Sequence, residues 1–192
     1  SQLLRRRQLM VGSVLFHVGV LFLLVGHTVG LLTPHALYGL VITAPQKQLL
    51  AIVSGGVFGV LCFIGLTMLL HRRLSDPRIR ATSSTADIAI LALLWVQLVL
   101  GLLTIPFSLG HLDGTVMLQL SHWAQSIVTF QSGAAEHLAG VAWVFKLHIL
   151  LGLTLVVAFP FSRLVHIWSA PLAYVVRPYQ LVRRRGRNAR VA

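Results

Sequence analysis

Residues 15–35 read LFHVGVLFLLVGHTVGLLTPH, and this stretch decides the fold class. It carries no Asp, Glu, Lys or Arg, and with residues 8–14 it forms one apolar run, Gln8 to Leu31. A helix covering ~30 Å of hydrocarbon needs ~20 such residues. Two histidines, His17 and His27, sit inside the run. Ionisable residues within a span mark function by default, because lipid offers them no partner.

Three further runs of the same kind follow, Gln48 to Leu70, Ile88 to Leu109 and Ala139 to Trp168. Over its 192 residues the chain is 56% hydrophobic and 10% charged, with a mean hydropathy of +0.83. A water-facing surface does not tolerate that composition. The runs lack the alternation of barrel strands, and lipid cannot satisfy an open backbone, so helices are the remaining solution. The expected fold is an all-α membrane protein, an antiparallel bundle of four transmembrane helices. The first run is too long for a cleavable leader.

The formal charge of +12 does not point to nucleic acid, because the basic residues collect at the membrane edges. Arg5, Arg6 and Arg7 precede the first run, Arg72, Arg73, Arg78 and Arg80 follow the second, and Arg177, Arg183, Arg184, Arg185, Arg187 and Arg190 follow the fourth. With Arg163, able to snorkel from its helix end, 14 of the 16 basic residues share one side. By the positive-inside rule that side is cytoplasmic, so both termini face inwards. Residues 1–170 are expected to form the bundle, and residues 171–192 a basic cytoplasmic tail that docks a partner. The single cysteine, Cys62, lies mid-span and reads as a buried packing residue, which excludes a disulfide framework.

Local signals refine the boundaries. Asp87, after Thr82, Ser83, Ser84 and Thr85, reads as the N-cap of the third span. His122 to Phe130 mixes aromatic and polar residues over too few positions to span, and reads as an interfacial helix over the outer mouth. Pro160 should kink or locally unwind the fourth run. Glycines such as Gly12, Gly19, Gly26 and Gly65 suit either helix packing or close approach to a flat ligand.

His148 and His166 lie in the fourth run, which is antiparallel to the first. His17 therefore shares the inner depth with His166, and His27 the outer depth with His148. The axial separations are about 15 Å for ten residues and about 27 Å for eighteen, a mismatch that tilt and the Pro160 break can absorb. Two opposed imidazoles without carboxylate or thiolate suit an iron porphyrin, which supplies the other four ligands; zinc or copper would require three or four protein donors. The pattern points to two b-type haems with four histidine ligands to iron, and to electron transfer. Ser13 and Ser162, each four residues before a ligand, offer groups to fix the imidazole tautomer. His71, His111 and His122 read as solvated edge residues.

The strings LFHVGVLFLLVGHTVGLLTPH (15–35), RRLSDPRIRATSSTADI (72–88), GLLTIPFS (101–108), WAQSIVTF (123–130) and FPFSRLVHIWS (159–169) resemble the gamma subunit of bacterial respiratory nitrate reductase, over essentially the whole chain. That family has five spanning helices, and this sequence is similar to the last four. The resemblance implies a multi-pass protein of the bacterial cytoplasmic (inner) membrane. His17 and His166 would hold the haem b near the cytoplasmic partner, and His27 and His148 the haem b near the outer face. It also implies that a quinol, menaquinol or ubiquinol, is oxidised beside the outer haem, at a site with Lys47, Gly26 and His27. Electrons would then pass to an iron–sulfur beta subunit and a molybdenum-containing alpha subunit that reduces nitrate in anaerobic respiration.

From the residues alone Lys47 reads as a solvated loop cation at a helix start, and Lys146 as a partner for a haem propionate. Two other functions fit the same pattern. One is the cytochrome b subunit of a different quinone-linked oxidoreductase. The other is a haem-free membrane anchor or transporter, against which the scarcity of acidic residues in the spans argues.

Overall fold

A computed structural model describes residues 6–167, with backbone only at Arg6, Arg163 and Ile167. The basic tail at 171–192 and Arg5 lie outside the described residues. Four helices are long and apolar enough to cross a membrane: α1 (Arg6–Leu32), α3 (Ala44–Ser75), α5 (Thr85–Leu109) and α7 (Trp143–Ala158), the last prolonged by a 3-10 turn to Phe161. Between them lie the short α2 (His35–Tyr38) and α4 (Pro77–Ala81), and the longer α6 (Thr115–Val128). The chain is an all-α, multi-pass membrane bundle.

α1 packs on α3, α3 on α5 and α5 on α7, whereas α1 and α7 are not among the closely packed pairs. The tightest seam is α1 against α3, where small residues let the backbones touch. A Cβ at Gly65 would strike the Phe16 N and lie 2.7 Å from the Gly12 carbonyl; one at Gly19 would lie 2.6 Å from Cys62 Cβ. Cys62 is buried there, as expected, with its Sγ 3.8 Å from the Phe16 carbonyl. Just beyond, Phe22 and Phe58 stack with centroids 3.9 Å apart. Across the next seam Trp95 Nε1 donates to Thr67 Oγ1 at 3.0 Å.

The helix starts are written in local chemistry. The sequence places the α5 N-cap at Asp87, and the structure moves it to Ser84. Ser84 Oγ accepts from Asp87 N–H at 3.1 Å, while the Asp87 carboxylate accepts from Ser84 N–H at 3.3 Å. This reciprocal box satisfies two donors that a helix end leaves orphaned, which a single cap at Asp87 would not. Ser84→Ala is expected to cost about 1 kcal/mol. A lowered thermal unfolding midpoint in detergent, with the helical signal retained, checks this.

On the opposite edge α6 is longer than the interfacial helix expected over 122–130. It starts at Thr115 because Gly114 takes a left-handed φ of +83° and the Asp113 carboxylate accepts from both the N–H and hydroxyl of Thr115. Those two bonds hold the Asp113 carboxyl below its ordinary pKa. Gln125 on α6 donates to the Leu31 and Thr33 carbonyls at 3.0 and 3.4 Å, capping the end of α1. Val116 and Leu120 of α6 cover Val144 and Phe145 at the start of α7. This layer thus ties the first span to the last.

Pro160 does unwind the fourth run. It has no N–H to continue the ladder. α7 ends at Ala158, a 3-10 turn covers Phe159–Phe161, Ser162 is extended (φ −125°, ψ 172°), and a second 3-10 turn spans Arg163–Ile167. His166 is therefore on that last turn rather than on a continuous helix with His148. The reading of about 27 Å along one axis is corrected accordingly.

Candidate functional site: two histidine pairs facing across the first and last spans

Along α1, His17 and His27 make the same local bond. His17 Nδ1 lies 2.7 Å from the Ser13 carbonyl and 3.2 Å from Ser13 Oγ; His27 Nδ1 lies 2.7 Å from the Leu23 carbonyl. A carbonyl only accepts, so Nδ1 carries the proton and Nε2 keeps the lone pair. His148 follows the same rule from another helix, its Nδ1 being 3.1 Å from the Gln97 main-chain carbonyl of α5. Three imidazoles are thereby set in the tautomer that ligates through Nε2. The Ser162 hydroxyl donates to the Phe159 carbonyl and accepts from Leu164 N–H, closing the turn that precedes His166.

The structure brings the four histidines together in the two combinations expected from antiparallel topology. His17 and His166 have ring centroids 6.5 Å apart, and His27 and His148 have centroids 6.1 Å apart. An imidazole nitrogen lies about 2 Å from a first-row metal it binds. Its ring centre is roughly 1 Å further back for bonds near 1.33 Å. Two rings on opposite sides of one ion thus have centres roughly 6 Å apart on the same arithmetic. The donor set fits a haem iron and does not fit a bare metal: among the described residues no group of three or more His, Cys, Asp or Glu could hold an ion.

The surroundings suit a flat ligand. A Cβ at Gly26, Gly30 or Gly55 would meet nothing within 4 Å, unlike those at Gly12, Gly19, Gly59 and Gly65, which serve helix packing. At Gly101 a Cβ would lie 3.0 Å from His148 Cε1, so this glycine makes room for the ring itself. Gln97 was missed by the sequence reading. Its side-chain Nε2 lies 3.5 Å from His148 Nε2, and its Oε1 is buried without a partner. The available signal was a lone amide within an otherwise apolar span.

Lys47 is not the solvated cation that its loop-edge position suggests. It is 7% exposed in the first turns of α3, its Nζ has no hydrogen-bond partner, and it stands 3.7 Å over the Tyr38 ring. Gly26 is exposed beside His27 on α1. Lys146 Nζ donates to the Ala139 carbonyl at 3.2 Å, beside an apolar groove of about 400 Å³ lined by Trp123 and Leu138. His122, placed on α6 rather than in a loop, has its ring 5.6 Å from that of His137.

Residues 1–185 match the sequence profile of the family described as nitrate reductase gamma subunit. The chain belongs to this family. It is 55% identical over 185 residues to the respiratory nitrate reductase 1 gamma chain of Escherichia coli (strain K12), covering 96% of this chain and 82% of that one. It is 52% identical to the respiratory nitrate reductase 2 gamma chain of the same organism, with the same coverage. To the nitrate reductase gamma chain of Bacillus subtilis (strain 168) it is 36% identical over 186 residues, covering 96% of this chain and 83% of the relative. By its family the chain is accordingly a membrane-anchoring subunit of nitrate reductase.

Proposed function

We propose that this chain oxidises quinol near the outer face of the bacterial cytoplasmic membrane and delivers the electrons to a cytoplasmic partner. The observation that carries this reading is the pair of facing imidazole couples, 6.5 and 6.1 Å between centroids at two depths. His17 with His166, and His27 with His148, would each hold one haem b. When bound, the two haems supply one-electron carriage between the membrane faces. The histidines supply axial nitrogens in a fixed tautomer, and the apolar helices exclude water from them.

The sidedness rests on charge. Arg7 at the start of α1, Arg72 and Arg73 at the end of α3, and Arg78 and Arg80 on α4 share one edge, which the positive-inside rule makes cytoplasmic. Lys47, Gly26 and His27 then lie towards the outer edge. There the unpaired Lys47 ammonium is the donor for a quinol oxygen. Each quinol oxidised yields two protons, released outwards, and two electrons that move inwards. Moving charge this way against the membrane potential stores ~2.3 kcal/mol per elementary charge per 100 mV. The cytoplasmic partners on this reading are the iron–sulfur beta subunit and the molybdenum-containing alpha subunit, which carries the nitrate chemistry.

The test is the reduced absorbance spectrum and haem content of the chain purified from membranes, with quinol as reductant. Two haems b per chain, reduced by a quinol analogue, are expected. A correctly folded, colourless preparation would overturn the proposal in favour of an anchor or transporter. Coloured protein that co-purifies without a molybdenum subunit would instead assign it to another quinone-linked complex.

A further inference from the structure

A buried ammonium is costly unless something in the protein compensates it. Lys47 has no hydrogen-bond partner, and among the described residues no carboxylate pairs with it. What it has is the face of Tyr38, 3.7 Å from Nζ to the ring centroid. Tyr38 is itself 8% exposed, its hydroxyl is buried without a partner, and burial pushes its phenol above the ordinary value, so the ring stays neutral. Its plane is set by the edge of His35, centroids 5.0 Å apart at 82°. The short helix that carries both is closed by Gly39 N–H donating to the His35 carbonyl at 2.8 Å.

The choice of an aromatic face has a chemical consequence. A carboxylate would neutralise the lysine and consume one or more of its three N–H donors. A ring attracts the cation through its quadrupole and leaves the donors available. We propose that Tyr38 is the positioning residue of Lys47, holding its ammonium charged and undirected towards any protein acceptor so that its N–H groups serve a quinol oxygen. This rests on the proposed quinol role of Lys47. Tyr38 acts through the lysine, and the phenol oxygen has no part in it.

The experiment uses the assembled membrane complex and a soluble naphthoquinol or benzoquinol analogue, with haem b reduction as the readout and haem content as the control for assembly. Tyr38→Leu is expected to raise KM for the analogue about tenfold, the effect of losing a desolvated cation–π contact, with kcat nearly unchanged. Tyr38→Phe, which keeps the ring, is expected to restore the original KM. Tyr38→Leu combined with Lys47→Ala should be no worse than Lys47→Ala alone. Tyr38→Met, similar in bulk without a ring, replaces the leucine variant if that one does not assemble.

An unchanged KM in the ringless variant while Lys47→Ala is impaired overturns the positioning role and spares the quinol site. A Tyr38→Phe variant as impaired as Tyr38→Leu also overturns it, by giving the work to the hydroxyl. A Lys47→Ala variant with the original KM removes the quinol role of Lys47 itself.

Discussion

His17→Ala and His166→Ala are each expected to remove the same haem from the purified chain, halving its haem content, while His27→Ala and His148→Ala remove the other. The pairing follows from ring centroids 6.5 and 6.1 Å apart across α1 and the end of the last span. An iron held by two axial imidazoles loses its low-spin character when one is taken away, and among the described residues no third His, Cys, Asp or Glu is grouped with either pair to replace it. The four variants should therefore sort by spectrum into two classes that cross the chain order, one residue of each class coming from α1. Two classes that instead separate α1 from the last span, or spectra unchanged in all four, would sink the assignment. The measurement is a reduced-minus-oxidised difference spectrum together with haem extracted per chain, so the result does not depend on catalytic turnover.

The second large effect is expected at a residue that itself ligates nothing. Gly65→Val adds bulk where even a Cβ would press on the Phe16 N and lie 2.7 Å from the Gly12 carbonyl, backbone atoms that cannot rotate aside. Overpacking of this kind costs ~1–3 kcal/mol where side chains can yield, and backbone-on-backbone contact puts it at or above the upper end. α1 must move away from α3, and α1 carries both His17 and His27. The expected outcome is loss of both haems together with a lowered unfolding midpoint in detergent. Gly56→Ala, whose Cβ would meet only Ile105 Cδ1 at an ordinary 3.6 Å, is the control and should retain both. Full haem content in Gly65→Val would show that the α1–α3 seam does not position the histidines.

Much of this architecture is readable before any coordinates. Apolar runs of spanning length and arginines at one edge are cumulative properties of many residues, so no single side chain can mislead them. The interfacial helix was legible in kind but not in extent, because its start is made by Asp113 and Gly114, two loop residues outside the aromatic cluster. The cap of α5 was displaced from Asp87 to Ser84 for a related reason: a capping box needs two reciprocal bonds, and only their geometry tells which member opens the helix.

The candidate site divides in the same way. Gln97 and Tyr38 were passed over because neither belongs to a pattern. One is an amide that meets His148 through its main-chain carbonyl as well as its side chain, and the other is an aromatic on the short α2 whose value comes from the lysine above its ring. Lys47 was open to a solvated reading, since nothing in the order of residues around it says that α2 folds back over it and leaves it 7% exposed.

Depth along the membrane normal was set by the sequence alone for His17, His27 and His148, because a helix rises by a constant amount per residue and runs without strand alternation cross hydrocarbon only as helices; His166, on the 3-10 turn past Pro160, is the exception. Four spans and two levels of histidine follow from that. Lateral position was decided only by the tertiary structure: the glycine seam that closes α1 on α3, the break at Pro160 that turns His166 back towards His17, and the aromatic face under Lys47. These depend on which side of each helix meets its neighbour, a matter of packing between segments distant in the chain that no local periodicity encodes.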